Sequence, residues 1–371
     1  MTKTRTDRRT FIRASVGAAA AVTLAGTISE TNAKEEKTVA DEVHVYDEFG
    51  ELKDVVIGSP LADDDCVFKW MPGMDEEFSW LKPETFKFLK ANSDKPWKEA
   101  NPELFSKINQ QVDNYAETME KHGVKVRRLP RLVHEDRNYI NPGVEQIFPR
   151  DVWCTAGNTV VAAALRMPWK RKQYLAAAPL YVGMMEAGKC KYIQAPQPST
   201  EVMSPPDRKH AAETHSILFD GGDFFVNGDE IYLGQGHGSN ALGAKFCESV
   251  FGDQFKVYPL TLSGAALHLD CTIALLRPGL GIICREWLKS ELPPGLKNYK
   301  WIEATEQEAA WLGVNGIALN PETYVVDSAH KRLIGEMRRH GVNVVAVPYD
   351  GPSFLGGALR CSSQPVYRAK A

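Results

Sequence analysis

The sequence has 371 residues, of which 43% are apolar, 25% charged and 9% aromatic. Those are the proportions of a folded globular protein and not of a collagen, a disordered tail or a coiled-coil rod. With 44 Lys and Arg against 47 Asp and Glu, the formal net charge is -3, so no global basic field is present to hold nucleic acid or anionic lipid.

Residues 1–33 read as an export signal. Arg8, Arg9 and Arg13 make a basic head, an apolar, alanine-rich run covers 14–28, and Thr31-Asn32-Ala33 offers a small-residue cleavage site. The run is shorter than the roughly 20 residues that span a bilayer, and the paired arginines look like a twin-arginine address. An exported, periplasmic protein without stable membrane insertion is expected. A polar linker, 34–42, then leads into a single domain over 43–371.

Residues 43–46 and 52–57 read as a hairpin about Phe49 and Gly50. Over 102–122, Leu104, Phe105, Ile108, Val112, Tyr115 and Met119 fall on one helical face. Gly123 sits where a helix ends, and a strand follows over 124–126. The helix–glycine–strand unit recurs over 175–187, Gly188 and 190–193, with Pro179 expected to mark the true helix start. It recurs again over 329–340, Gly341 and 342–347. Strands are predicted between these units over 216–219, 224–226, 230–233, 273–276 and 281–284. The result is about five small α/β units without a strict sequence period. The glycine-rich run 234–238 lacks the phosphate-binding pattern of a dinucleotide fold. His237, within that run, is a secondary candidate for lining a pocket.

The seven cysteines are Cys66, Cys154, Cys190, Cys247, Cys271, Cys284 and Cys361. Their number is odd and no C-x-x-C pair occurs, so a zinc ribbon or a thioredoxin-type dithiol is not supported and no metal is expected. Cys154 and Cys271 are assigned to the core, and Lys170, Arg171 and Lys172 to a solvated helix face.

Four segments carry chemistry together: Pro149-Arg150-Asp151, Phe219-Asp220-Gly221-Gly222-Asp223, His268-Leu269-Asp270 and Leu355-Gly356-Gly357-Ala358-Leu359-Arg360-Cys361. Cys361 is a candidate nucleophile. His268 is the candidate general acid/base, and a carboxylate such as Asp220 would hold its tautomer. Asp151, adjoined by Arg150, and Asp270 are candidate site acids. Two such carboxylates make a receptor for a planar cation with several N–H donors, guanidinium being the obvious one. A binding protein that keeps only the receptor, or a metal site of His268, Asp270 and Cys361, are the competing readings. Pure binding needs no thiol, and the metal reading has no recognisable ligand spacing.

In this order the four segments resemble the guanidino-group-modifying superfamily of pentein fold, which includes amidinotransferases and arginine deiminases. Tyr46-Asp47-Glu48-Phe49 with Leu52-Lys53-Asp54-Val55-Val56-Ile57-Gly58 is similar to the opening of glycine amidinotransferases. Val124-Lys125-Val126-Arg127-Arg128 and Gly157-Asn158-Thr159-Val160-Val161 are similar to later landmarks. The resemblance implies an α/β propeller of five units about a pseudo-fivefold axis. It implies Cys361 as nucleophile, His268 as acid/base and Asp220 as its partner. Asp151 and Asp270 would grip the substrate, with Arg150 and Asp223 beside them. No cofactor is implied; the partners are a small guanidino donor and an amine acceptor, and a homodimer is compatible. Gly238 stands where deiminases carry an arginine, and Asp220 where they carry Glu. Both features favour an amidinotransferase over a hydrolase, which is the alternative.

Overall fold

The computed structural model describes residues 41–371 apart from 71–73, 79, 133–145, 168–169 and 199–214. The export segment expected over 1–33, and the linker as far as residue 40, lie outside the described residues. Among the described residues no helix is long and apolar enough to cross a membrane.

The first unit pairs β1 (Leu52–Ile57) in parallel with β2 (Lys125–Arg128), across helix α1 (Pro102–Lys121). Asn101 caps α1 by accepting the Leu104 N–H at 3.0 Å, and Pro102 occupies the first turn, where a missing N–H costs nothing. Gly123, with φ +78°, turns the chain out of α1 and into the strand.

The second unit repeats the plan as a hairpin plus a parallel third strand. It contains β3 (Trp153–Ala156), β4 (Thr159–Ala162) and β5 (Lys191–Gln194), with α2 (Tyr174–Glu186) as the crossover. The third contains β6 (Phe224–Asn227), β7 (Glu230–Gln235) and β8 (Lys256–Thr261), with α3 (Ala241–Phe251) between the last two. The fourth contains β9 (Ile273–Arg277), β10 (Leu280–Ile283) and β11 (Lys300–Glu303). The fifth contains β12 (Ile317–Asn320), β13 (Thr323–Asp327) and β14 (Asn343–Val347), with α4 (Lys331–Arg339) as crossover. Finally β15 (Ser363–Arg368) pairs antiparallel with β1 and completes the first sheet. The five three-stranded sheets form the α/β propeller that the sequence implied.

Three local expectations differ from the structure. Residues 43–46 do not form a hairpin with 52–57. His44 and Val45 instead make single bridges to Tyr367 and Gly157, because the C-terminal strand β15 takes the β1 edge. Pro179 lies inside α2, which begins at Tyr174; near a helix start it removes one hydrogen bond without ending the helix. Residues 216–219 contribute one bridge, Phe219 to Ala164, and no strand.

The centre of the propeller is polar and packed. Arg360 is 3% exposed, and its Nε and Nη2 donate to the Glu48 carboxylate at 3.2 and 3.1 Å. Its Nη1 donates to Asp270 Oδ2 at 3.1 Å and its Nη2 to the Phe224 carbonyl at 2.8 Å. The guanidinium carbon lies 3.8 Å from the centre of the Phe225 ring. The Arg360 N–H donates to the Asn315 carbonyl at 3.4 Å, and Arg150 Nε donates to the Arg360 carbonyl at 3.3 Å. One residue therefore touches the segment leading into the first unit and all four others. Replacing Arg360 by Met leaves two buried carboxylates uncompensated, which costs about 3–5 kcal/mol. Urea unfolding should show that loss; a change below about 1 kcal/mol, the level of an exposed pair, would rule out this anchoring role.

Candidate active site

Three short 3-10 turns precede the first strands of the second, third and fourth units: Pro149–Asp151, Gly221–Asp223 and Leu269–Cys271. They carry Asp151, Asp220 and Asp223, and His268 and Asp270, at matching places around the axis. Their close approach depends on Gly221 and Gly222. A Cβ on Gly221 would lie 2.0 Å from the Arg150 carbonyl oxygen, and one on Gly222 would lie 2.5 Å from His268 Nδ1.

Above the turns is a cavity whose empty space, its mouth to solvent included, is about 680 Å3. Asp151, Asp220, His268 and Cys361 line it together with the aromatic rings of Phe68, Phe78, Trp80 and Phe148. His268 Nε2 is 3.0 Å from Asp220 Oδ2, and His268 Nδ1 is 3.8 Å from Asp151 Oδ1, too far for a hydrogen bond. Asp151 Oδ1, Asp220 Oδ1 and His268 Nδ1 are buried with no hydrogen-bond partner among the described residues. Buried polar atoms without a partner call for an explanation, and beside a cavity a bound ligand or water supplies one.

Cys361, 2% exposed, is held by Asn315. The Cys361 N–H donates to Asn315 Oδ1 at 3.2 Å, and Asn315 Nδ2 donates to Cys361 Sγ at 3.2 Å. Asp270 Oδ2 lies 3.6 Å from the same sulfur. Asn315 was not among the sequence candidates, because a lone Asn in a loop belongs to no motif. Its only signal was its place in the fifth unit, just before the first strand of the hairpin, where the other units carry their site residues.

The structure brings Cys361, His268, Asp220 and Asp151 onto one cavity, as the sequence implied, but not every candidate. Arg150 does not line it: its side chain turns to the Arg360 carbonyl, and burial, with Arg360 nearby, pushes it down to about 9. Asp223 is likewise withdrawn, accepting Ser239 Oγ at 2.6 Å and the Leu269 N–H at 2.9 Å. It ties the third turn to the fourth, and burial pushes its carboxyl up to about 7. Asp270, 0% exposed, is bonded to Arg360 and lies 3.6 Å from the Cys361 sulfur.

The basic residues 170–172 are not simply a solvated face. Lys170 lines the cavity and ion-pairs with Asp151 Oδ2, and Arg171 donates to the carbonyls of Leu165, Arg166 and Pro198. His237 lines the cavity. Cys154 and Cys271 are buried, and burial pushes both thiols well above their ordinary value. Among the described residues no group of three or more His, Cys, Asp and Glu is placed to hold a metal ion.

Burial by itself lowers the His268 imidazole. The hydrogen bond to Asp220 and the charges of Asp151, Asp223 and Asp220 outweigh it and hold His268 up to about 10. Burial raises Asp151, but Lys170 and His268 bring it below the usual carboxylate range. Burial, then the charges of Asp270 and Asp151, push the Cys361 thiol well up. The resting site thus contains an imidazolium, a carboxylate and a neutral thiol.

Fold and site together define a pentein-fold enzyme built around a buried cysteine and an Asp-supported histidine. Several of the proteins it is similar to are amidinotransferases. The chain is 26% identical over 351 residues to inosamine-phosphate amidinotransferase 1 of Streptomyces griseus, covering 88% of this chain and 97% of the relative. It is 23% identical over 351 residues to the L-arginine:L-lysine amidinotransferase of Pseudomonas savastanoi pv. phaseolicola, covering 87% and 93%. The solved structure of SxtG, an amidinotransferase from Microseira wollei in the saxitoxin biosynthetic pathway, matches with a TM-score of 0.71 at 20% identity, covering 89% of this chain and 98% of that one. No protein-family model matches the chain.

The raised His268 has a consequence for stability. Its folded value of about 10 exceeds the ordinary 6.5, so its contribution is complete below pH 6.5 and is lost as pH rises toward 10. Thermal unfolding of the wild type should therefore fall over that window, and His268→Gln should flatten the decline. Parallel curves for the two proteins would contradict the assignment.

Proposed function

We propose that this enzyme moves an amidino group from a guanidino donor, L-arginine, to an amine acceptor through an amidino-cysteine at Cys361. The observation that carries this reading is the shared cavity of Cys361, His268, Asp220 and Asp151, with a thiol that rests protonated. A guanidinium bound beside Cys361 supplies the positive charge that favours the thiolate, so the thiol proton is released to solvent as the donor arrives and is taken up again when the product leaves. Asp151 accepts the donor's N–H groups, and Asp270, beside the sulfur, adds negative charge behind the reacting carbon. L-arginine as donor is supported by the relative whose name specifies it.

The thiolate attacks the central guanidino carbon, forming the S–C bond and breaking the carbon's planarity. The C–N bond to the donor's chain then breaks, and His268 gives its proton to the departing amine. Asp220 holds the imidazole through Nε2, which leaves Nδ1, 3.8 Å from Asp151 Oδ1, without a hydrogen bond. In the second half an acceptor amine gives a proton to the neutral His268 and attacks the amidino carbon, releasing the Cys361 thiolate. Asn315 Nδ2, already donating to the sulfur, stabilises that thiolate both as nucleophile and as leaving group.

Cys361→Ala should abolish turnover while binding of arginine, followed by calorimetry, persists; unchanged turnover would move the chemistry elsewhere. Arginine labelled in its amidino carbon, given with glycine, lysine or other amines, should deliver label to a new guanidino compound with release of ornithine. Label found only in citrulline, with ammonia released whatever the amine, would make the enzyme a hydrolase. We also propose that residues 1–33 direct export by the twin-arginine route. Lysines in place of Arg8 and Arg9 should then hold the protein in the cytoplasm of a bacterial host, and normal export on fractionation would refute that route.

A further inference from the structure

A second cavity adjoins the active site, and its empty space, its mouth to solvent included, is about 400 Å3. Trp80, Leu267 and Gly356 line both cavities. The Trp80 ring packs on the bare backbone of Gly356, where a Cβ would lie 2.9 Å from the ring's Cη2, so this contact belongs to the wall that the cavities share. Leu81, Trp287, Leu312 and Phe354 make much of the remaining lining apolar. Among the described residues no acidic side chain lines this cavity, and Lys82 is its one charged residue.

The polar groups on this lining are unsatisfied. Thr85 and Ser353 are 1% and 7% exposed, and Thr85 Oγ1, Ser353 Oγ and Trp80 Nε1 are buried with no hydrogen-bond partner among the described residues. Thr85 stands in the first turn of the helix Pro83–Ala91, which has no side-chain cap, and the free amides of a first turn favour a negative group. The Lys82 ammonium lies 4.4 Å from the centre of the Trp311 ring and makes no ion pair among the described residues. Burial lowers its value, and the charges of Glu84, Asp327 and Asp350 offset that only in part. An ammonium has three N–H donors, so Lys82 can keep the indole face and still bind an anion. No existing pair has to be broken.

An apolar lining with one cation and several converging donors suits a small molecule with an apolar body and an anionic head. We propose that this cavity is a second ligand site, which takes a small carboxylic acid with a short apolar chain, its carboxylate held by Lys82, Thr85 and Ser353. The site is filled independently of the amidino donor. It does not rest on the proposed amidino transfer, because none of Lys82, Thr85 and Ser353 lines the active-site cavity. Its occupant nevertheless meets Trp80, Leu267 and Gly356, which line the active site too.

Butyrate, butyramide and butylamine share a chain and differ in the head group, and inorganic phosphate has the charge without the chain. In ligand-observed NMR titrations butyrate should bind at least about tenfold more tightly than butyramide or phosphate, and butylamine should bind most weakly. Lys82→Gln should remove about tenfold or more of the butyrate affinity and leave butyramide within about twofold, which also shows that the variant is folded. Ser353→Ala should weaken butyrate about three- to tenfold, the scale of one hydrogen bond. Repeated on the Cys361→Ala protein saturated with L-arginine, the butyrate affinity should stay within about threefold. Butyrate that L-arginine displaces would belong to the active-site cavity and overturn the proposal. So would phosphate binding as tightly as butyrate, or a head-group preference that Lys82→Gln leaves unchanged, since the cavity would then hold another class of ligand or water alone. If L-arginine itself fails to bind, the proposed donor falls and the Lys82 comparison still decides this site.

Discussion

A guanidinium buried at the axis, between Glu48 and Asp270, is the constraint around which the rest of this molecule is arranged. Arg360 cannot lose its charge, and burial leaves it no water, so every N–H it presents needs an acceptor supplied by the fold. The acceptors come from different units: Glu48 ahead of β1, the Phe224 carbonyl in the third and Asp270 in the fourth. The main chain of the same residue meets Asn315 of the fifth unit and Arg150 of the second. Five small sheets that share little sequence are thereby drawn to one centre. Breaking such a network is costly even where its net contribution to stability is modest.

The next residue in the chain is Cys361. Its position is a consequence of the Arg360 network, since the carbonyl of Cys361 accepts the Arg150 N–H at 3.1 Å and its own N–H is held by Asn315. The structural charge and the sulfur proposed as nucleophile therefore occupy adjacent residues and share Asp270, one oxygen of which lies 3.1 Å from Arg360 Nη1 and 3.6 Å from the sulfur. That sharing fixes the Asp270 carboxylate beside the thiol. It also explains how a negative group is tolerated beside a nucleophile that must itself become negative: Arg360 offsets it.

Burial does not separate the proposed nucleophile from the other cysteines, nor does it give Cys361 a low resting pKa. Cys154, Cys271 and Cys361 are all buried and all have thiols pushed up. What sets Cys361 apart is access to the cavity that also holds His268 and Asp151. In the mechanism proposed here the thiol ionises only when a cation docks next to it, which would protect it from indiscriminate alkylation and oxidation and would make the charge of the bound substrate part of the catalytic machinery.

Much of this was legible in the sequence, for a local reason. The helix–glycine–strand units at 102–126 and 329–347 announce themselves through periodicity and through Gly123 and Gly341, which have φ of +78° and +75°. Asp151, Asp220, His268 and Cys361 stand in short motifs whose order along the chain points to one site. The rest depended on direction and distance, which adjacency in sequence does not encode. A 3-10 turn sends neighbouring side chains to different sides, so Arg150 and Asp223 face the packed interior while Asp151 and Asp220 face the cavity. The pairing of β1 with β15 joins residues more than three hundred positions apart, and no local pattern of 43–57 distinguishes it from a hairpin. Asn315 and Lys170 belong to no motif; each acquires its role only when the closed propeller brings it to the sulfur or to Asp151. The sequence by itself determined the units and the chemical groups, because those follow from local propensity and side-chain type. Only the tertiary structure decided which charges pair, because pairing in a buried site is set by which atoms the packing brings within about 3 Å of each other.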